Sequence, residues 1–271
     1  MESNVQTERN SLRKRTKSMI RVDIRRMLKS RTFYILIASA FLIPIIMTVM
    51  LTMMDGSVVV DQQTGAESVM HGPESAWQSI GTLPSDEGAA MGGMDIMAMC
   101  NINMMFMLVA VFVCLFISDD FRSGYAKNLF TIRAKKEDYV ISKTIVCVIT
   151  GALMLIAYFI GAMFGGAMAG LSFDLGGLSV ANIVMCMLAK MILMLVFVPI
   201  FVLASVAAKQ KTWASICASL GGGMLLFMMV GMITPLGSTV INVALCAAGG
   251  AMFAFGLGVA SNAVLKKTSL V

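Results

Sequence analysis

Side chains that could do chemistry are sparse in this sequence and fall into two groups. One group is dense and lies at 119–143, where acidic, basic and aromatic residues alternate. The other is isolated within apolar stretches and consists of Lys190, Asn101 and Asn103. A chain that hydrolyses nucleotides needs a loop such as G-x-x-x-x-G-K-[ST] to cradle phosphates, and the sequence contains none. We therefore expect no catalytic residue and no enzymatic activity in this chain.

Metal chemistry finds little support in the sequence. The sole histidine, His71, has no neighbouring ligand at a typical spacing, and the six cysteines lie in apolar runs without a C-x-x-C pair. Thioether sulfur favours Cu(I), and four methionines cluster at Met91, Met94, Met97 and Met99. Because the chain contains 27 methionines, this cluster has a simpler compositional explanation. We expect no metal site.

The composition indicates that lipid surrounds most of the chain. Hydrophobic residues make up 58% of it and charged residues only 13%, against about 25% in a soluble domain. A helix needs about 20 apolar residues to cross the hydrocarbon, and six stretches qualify, at 33–54, 96–118, 144–170, 184–207, 213–235 and 238–264. The sequence therefore predicts an all-α integral membrane protein with six transmembrane helices. For the last two, separated by a short turn, a re-entrant segment is the alternative.

Basic and non-basic connecting segments alternate along the chain. Ten Lys and Arg residues precede the first span, whereas 55–95 has none and carries seven acidic residues. Six basic residues lie in 119–143 and none in 171–183, and Lys residues follow the fourth and sixth spans. The positive-inside rule then places both termini in the cytoplasm. The net charge of +6 reflects this sidedness, so we expect membrane lipid and no nucleic acid among the partners.

The residues before the first span predict an amphipathic helix at the membrane surface. An apolar stripe with helical spacing comprises Ile20, Ile24, Met27 and Leu28, beside a basic stripe. A flexible basic leader is the alternative. The expected organisation is a cytoplasmic leader at 1–32, a transmembrane domain at 33–264 with an outer loop at 55–95 and a cytoplasmic segment at 119–143, and a tail at 265–271.

The segment 119–143 carries more than orientation requires. A loop that only sets topology needs Lys and Arg, but this one adds Phe121, Phe130, Tyr139 and a pair of aspartates. Apolar points set among charges fit a surface that docks another protein. A basic surface loop that only anchors the helix ends is the alternative.

This segment resembles that of the permease subunits of ABC-2 type transporters, especially small six-span Gram-positive permeases similar to bacteriocin or lantibiotic-immunity and drug-export permeases. Their pattern is acidic-Phe-x-x-Gly-x-x-Lys-Asn after the second span, followed by Arg, Tyr and Lys. The matching positions are Asp120, Phe121, Gly124, Lys127, Asn128, Arg133, Tyr139 and Lys143. The chain departs from the pattern at Tyr125, where the family usually has Thr or a small residue.

The resemblance implies an ABC-2, type V exporter-like permease fold in the bacterial cell membrane. It also implies that Asp119 to Phe130 forms a coupling helix in a cleft of an ATP-binding cassette subunit. Coupling would involve Asp119, Asp120, Phe121, Arg122, Gly124, Lys127, Asn128, Arg133, Tyr139 and Lys143. ATP and Mg²⁺ would bind only to that partner, and a second permease copy or a related permease would complete the transporter. The implied cargo is amphipathic peptides or hydrophobic compounds, which are exported or cleared.

Three polar residues within the spans have competing interpretations. A charge inside a membrane is a functional candidate by default, but Lys190 lies near the outer end of its span and could snorkel to the interface or pair with Asp174. Asn101 and Asn103 either line a pathway or form hydrogen bonds between helices. Two other functions are open: a membrane anchor or sensor that docks a partner without moving cargo, and an ion-coupled secondary transporter.

Overall fold

The structure is a computed structural model that describes residues 2–60, 67–69, 72–81, 101–131 and 136–267. Helices dominate it. They are α1 (Glu2–Lys29), α2 (Arg31–Met53), α3 (Met105–Arg122), α4 (Tyr125–Thr131), α5 (Lys136–Met168), α6 (Val180–Ala208), α7 (Thr212–Ile233) and α8 (Val240–Lys267). After α2, strands β1 (Val58–Val60) and β2 (Glu67–Val69) pair antiparallel. Short 3-10 helices lie at Ala76–Ser79 and Ile102–Met104.

Each of the six predicted spans coincides with a helix. Among the described residues, α2, α3 with its preceding 3-10 turn, α5, α6 and α8 are long and apolar enough to cross a membrane. The remaining predicted span coincides with α7, a continuous helix of 22 residues without a charged side chain. The protein is therefore an all-α membrane bundle, with a small hairpin in one connecting segment.

The helices divide into a central and a peripheral set. In the apolar stretch of α3, 67% of the residues are buried, because this helix packs against α5, α6 and α7. The corresponding share is 17% for α2 and 11% for α8. Both expose rows of large apolar side chains, such as Ile35 and Ile46 on α2 and Leu245 and Phe255 on α8. Helices that bury so little apolar surface against protein need lipid or another transmembrane chain around them.

Glycines allow α2 to lie directly on α5. A Cβ atom at Gly161 would collide with the carbonyl oxygen of Phe41, and one at Gly165 would come within 2.9 Å of the Ile45 Cα. The four-residue spacing of these glycines puts both on one face of α5, where small residues let helix backbones approach closely. Pro44, which interrupts the hydrogen-bond ladder of α2, packs at the same contact.

The leader forms the predicted amphipathic helix, but its buried face is displaced from the expected one. Among residues 15–29 of α1, the buried ones are Met19, Asp23 and Met27, and α1 packs mainly against α5. Ile20 and Ile24 are only partly buried, and Leu28 is 46% exposed. The displacement has a specific cause, because the carboxylate of Asp23 forms an ion pair with Lys143 on α5.

Candidate coupling site

A buried ion cluster joins α1, α3 and α5 at the end of the bundle where α1 lies. The Lys143 Nζ atom lies 2.8 Å from Asp23 Oδ1 and 2.7 Å from Asp120 Oδ2. Arg26 donates to Asp120 Oδ1 at 2.7 Å, and its guanidinium is 3.9 Å from Asp23 Oδ1. Asp23, Asp120 and Lys143 have no exposed side-chain surface. Two carboxylates therefore balance two cations within one buried site.

Neutral donors complete the cluster. The Tyr139 hydroxyl donates to Asp120 Oδ2 at 2.9 Å, and the Ser142 hydroxyl donates to Asp23 Oδ2 at 2.6 Å. Each carboxylate oxygen therefore accepts at least one hydrogen bond or ion-pair contact. Buried ion pairs stabilise a fold only when such additional partners satisfy them, because removing charges from water is costly.

Aromatic rings cover the cations of the cluster. The Arg26 guanidinium lies 3.9 Å from the ring centroid of Tyr125, and the Lys143 ammonium lies 4.1 Å from that of Phe116. Contacts of this kind gain strength where water is excluded. Tyr125 is also the position where the sequence departs from the family pattern, and its large ring is what shields Arg26.

The environment shifts the proton affinity of two groups at the membrane surface. Burial acts to lower the pKa of Arg26, but attraction to Asp120 and the hydrogen bond with it prevail, so the pKa is raised. Burial, followed by the charge of Asp23, raises the pKa of the Tyr125 phenol. Arg26 is therefore a permanent cation, and Tyr125 stays neutral at physiological pH.

Local helix geometry places these groups. On α5, Tyr139 and Lys143 are four residues apart and so share one face. On α1, Asp23 and Arg26 are three residues apart and meet the same neighbours. Asp120 lies in the last turn of α3, just before Gly124 adopts a positive φ of 74°. Glycine tolerates this backbone conformation, which separates α3 from α4.

The structure divides the predicted coupling residues into buried and exposed sets. Asp120, Phe121, Tyr139 and Lys143 are buried within the chain. The exposed set consists of Asp119, Arg122, Lys127 and Asn128, which we call the coupling face. Gly124 forms the turn between α3 and α4, and Arg133 lies outside the described residues. The buried side chains contact the chain's own helices, so any direct role in binding a partner belongs to the coupling face.

Further polar contacts fix the start of α5. Asp138 accepts a hydrogen bond from Thr16 at 3.1 Å and lies 3.7 Å from Arg15, both on α1. Lys136 donates to the carbonyl oxygen of Leu265 on α8 at 2.7 Å, and Glu137 pairs with Lys266 at 3.0 Å. The first turn of α5 therefore connects the leader helix to the last helix.

Lys190 does not snorkel, and it does not pair with Asp174. It is completely buried, about 15 Å along α6 from the start of that helix at 1.5 Å per residue. Its ammonium donates to Asn103 Oδ1 at 2.7 Å and to Thr234 Oγ1 at 3.0 Å. Both acceptors are uncharged, and no carboxylate pairs with Lys190 in the part of the chain that the structure describes.

The two asparagines have different roles. Asn103 joins the start of α3 to α6 through Lys190, which agrees with hydrogen bonding between helices. Asn101 is 2% exposed and accepts a hydrogen bond from the backbone N–H of Asn103 at 2.9 Å, so it caps the short 3-10 helix. Neither contact by itself identifies a pathway for cargo.

Sequence reasoning missed Asp23, Arg26 and Ser142. Asp23 is the one acidic residue among many basic ones at 9–31, and it sits four residues from Met19 and from Met27. A carboxylate within an apolar helical stripe is the signal that could have identified a buried ionic partner. Arg26 had no comparable signal, because basic residues surround it in the sequence.

No group of three or more His, Cys, Asp or Glu side chains that could hold a metal occurs within the described ranges. Five cysteines there are free, namely Cys114, Cys147, Cys186, Cys217 and Cys246. His71 and the methionine cluster at 91–99 lie outside the described residues.

Comparison with known proteins identifies the family. Residues 19–225 match the family model described as ABC-2 family transporter protein. This range covers well over half of the chain and includes the ion cluster, the coupling face and Lys190. No curated protein and no solved structure matches the chain significantly. The family supplies the membrane component of the transporter, which associates with a separate ATPase subunit. The chain therefore belongs to the ABC-2 transporter family and is a multi-pass permease component of an ABC transporter.

Proposed function

We propose that the coupling face is the surface on which an ATP-binding cassette subunit docks. One observation carries this proposal: the four exposed coupling residues share a short segment whose other side is fixed to the bundle. Asp120 and Phe121 face inwards, and Ala126 on α4 is completely buried. A docking surface that must transmit force has to be rigidly attached, and here buried charges provide the attachment.

The ion cluster gives a physical route from docking to transport. A displacement of α4 moves Tyr125, which packs on Arg26 of α1. Arg26 in turn donates a hydrogen bond to Asp120 at the end of α3, so the displacement reaches that helix too. Lys143 connects the same aspartate to α5. Closure of the ATPase would therefore move the leader and the second and third predicted spans together, as packed elements move in a rigid-body transition. ATP and Mg²⁺ would bind in the partner, which supplies the phosphate-binding loop.

The orientation we propose follows from charge. The leader, the coupling segment, Lys209, Lys211 and the end of α8 carry the basic residues, and the positive-inside rule places these in the cytoplasm of a bacterial cell. An epitope inserted between Gly176 and Gly177 should then be accessible to antibody on intact cells, whereas one fused to the C-terminus should not. The opposite labelling would contradict this orientation.

Hydrophobic or amphipathic compounds are the cargo class that we propose, in the direction of export or membrane clearance. The resemblance to peptide-immunity and drug-export permeases suggests this class. A cavity of about 320 Å³ supports it, because its lining is almost entirely apolar. Helices α6, α7 and α8 contribute Leu193, Phe197, Met229, Ile233, Leu245 and Phe253. A second copy of this chain or a related permease would complete the transporter.

Purification of the tagged protein from its own cells in mild detergent tests the docking proposal. We expect a co-purifying chain with a phosphate-binding loop, identified by mass spectrometry. The double variant K127E/N128A should reduce its recovery by about tenfold, equivalent to about 1.4 kcal/mol of binding free energy. The matched control is K211E/Q210A, which changes the same residue properties on another exposed turn. Equal recovery with both variants would contradict docking on the coupling face.

A further inference from the structure

A second cavity lies at the corner between α1 and α2, and its lining includes Asp119 and Arg122 of the coupling face. Its volume is about 420 Å³. The end of α1 contributes Arg26 and Lys29, and Ser30 and Thr32 follow at the corner. One face of α3 forms the opposite wall, and Thr212 at the start of α7 completes the lining. The cavity is distinct from the ion cluster, with which it shares Arg26.

The wall formed by α3 changes character along its length. Phe112, Leu115 and Phe116 are apolar and are followed by Ser118, Asp119 and Arg122, nearer the end of the helix. Positions 112, 115, 116, 119 and 122 recur at helical spacing, so they form a continuous stripe. The apolar residues lie deeper in the predicted span, and the polar residues lie at the end of α3 beside the basic leader. A molecule with an apolar body and a polar head would match this order.

The polar part of the cavity is electropositive. Its lining contains three cations, Arg26, Lys29 and Arg122, against one carboxylate, Asp119. Arg26 is already paired with Asp120. For Lys29 and Arg122, by contrast, no ion pair occurs within the described parts of the chain. This excess of positive charge favours an anionic ligand and disfavours a cationic one.

An unpartnered buried hydroxyl points to a ligand independently of the charges. Ser118 is 1% exposed, lines the cavity, and its Oγ atom has no hydrogen-bond partner. A helical serine commonly bonds to the carbonyl oxygen four residues earlier, and Ser118 does not. Buried hydroxyls are rarely left without a partner. Ser30 and Thr32 bring further hydroxyl groups to the same cavity.

We propose that this cavity binds the phosphate head group of an anionic phospholipid from the leaflet in which α1 lies. Lys29 and Arg122 neutralise the phosphate, Ser118 donates a hydrogen bond to it, and the lipid chain lies against Phe112, Leu115 and Phe116. Basic pockets beside transmembrane helices recognise anionic lipid heads in this way. The order of polar and apolar residues along α3 favours a lipid over a free anion. Asp119 and Arg122 also belong to the coupling face, so the lipid site is tested on the isolated permease, where no ATPase competes for these residues.

Thermal unfolding of the delipidated, detergent-solubilised protein tests the site. Dioleoylphosphatidylglycerol should raise the melting temperature of the wild-type protein more than dioleoylphosphatidylcholine does. K29Q/R122Q should abolish most of this difference. The matched control R21Q/R25Q removes two exposed cations from α1 outside the cavity and should retain it. S118A should weaken the apparent affinity for phosphatidylglycerol about ten- to a hundredfold, as expected for one hydrogen bond to a charged group.

Three results would overturn the proposal. Equal losses in K29Q/R122Q and R21Q/R25Q would indicate general attraction to the basic surface. An equal melting temperature shift with inorganic phosphate alone would show that the ligand is a free anion. If the wild-type protein shows no preference for phosphatidylglycerol over phosphatidylcholine, the proposed site is wrong. This comparison needs no variant, so it remains valid even where K29Q/R122Q fails to fold.

Discussion

At the scale of single residues, the buried charged side chains near the coupling segment form ion pairs with one another. Asp120 and Lys143 match the family pattern, and each is completely buried in a cluster that Asp23 and Arg26 complete. We therefore propose that they position the coupling segment and do not contact a partner directly. A charge reversal at Asp120 would disturb this cluster before it affected any docking contact, so Lys127 and Asn128 are the better probes of docking.

The cluster predicts an unequal effect of single and double substitutions. Lys143→Met leaves two buried carboxylates facing one cation, and loss of one partner from a buried ionic site typically costs about 3–5 kcal/mol of stability. Asp23→Asn together with Lys143→Met leaves a balanced pair of Arg26 and Asp120. We expect the double variant to be more stable than the single variant in reversible unfolding in detergent. A double variant as unstable as the sum of its parts would contradict the cluster.

Replacing Lys190 should affect stability in the opposite direction to replacing Lys143. The Lys190 ammonium has only neutral partners, so it bears a desolvation cost that a carboxylate does not offset. Methionine is similar in length to lysine but carries no charge. Lys190→Met therefore removes the desolvation cost, and the melting temperature should stay the same or rise. Lys211→Met, at an exposed position, serves as the control and should change it little. A fall of several degrees specific to Lys190→Met would show that the ammonium stabilises the fold.

A buried charge within a membrane span is a candidate for a role in transport. Lys190 joins the start of α3 to the segment after α7 through Asn103 and Thr234. We therefore regard it as a positioning residue at the end of the bundle opposite the coupling face. If Lys190→Met is stable, the rate of ATP hydrolysis by the assembled transporter should differ from that of the wild type.

At the scale of helices, hydropathy predicted the spans well and their ends poorly. The third span was expected from 144, but α5 begins at Lys136. Hydropathy marks only the part of a helix that lies in hydrocarbon, whereas backbone hydrogen bonding continues into the polar interface. The contacts of Asp138 with α1 and of Glu137 with α8 hold this extension in place. Such contacts join residues more than 100 positions apart, which a periodicity within one segment cannot reveal.

The same limit applies to α1 and its ionic partners. Helical spacing correctly predicted an amphipathic helix, but it selected the stripe that contains Ile20 and Ile24. Burial of Asp23 depends on Lys143, whose position beside α1 follows only from the packing of α5. The existence of the helix was therefore predictable from local sequence, and its buried face was not.

The contact between α2 and α5 predicts a selective effect of glycine substitution. Gly161→Ala would place a methyl group against the Phe41 carbonyl oxygen, which must force the helices apart. We expect a loss of about 1–3 kcal/mol of stability, the usual cost of overpacking. Gly258→Ala on α8 is the matched control, because no atom lies within 4 Å of the added Cβ. Equal melting temperatures for the two variants would contradict the close approach.

At the scale of the whole molecule, the bundle has two distinct ends. One end brings together the basic leader, the coupling face, the ion cluster and the electropositive cavity. The other contains the buried Lys190 network and the segment at 171–179 that links α5 to α6. Within the described residues, only the first end offers exposed charged side chains on a short helix that is fixed to the bundle. This asymmetry is what an ATP-driven permease needs if force applied at one end is to change access at the other.

Site-specific photo-crosslinking in cells tests the central claim most directly. A photoreactive amino acid at position 128, in place of Asn128, should yield a covalent adduct with a subunit that carries a phosphate-binding loop. The same group in place of Asp174, exposed at the opposite end, should yield none. An adduct from position 128 alone would support docking on the coupling face. No adduct from position 128, or equal adducts from both positions, would contradict it.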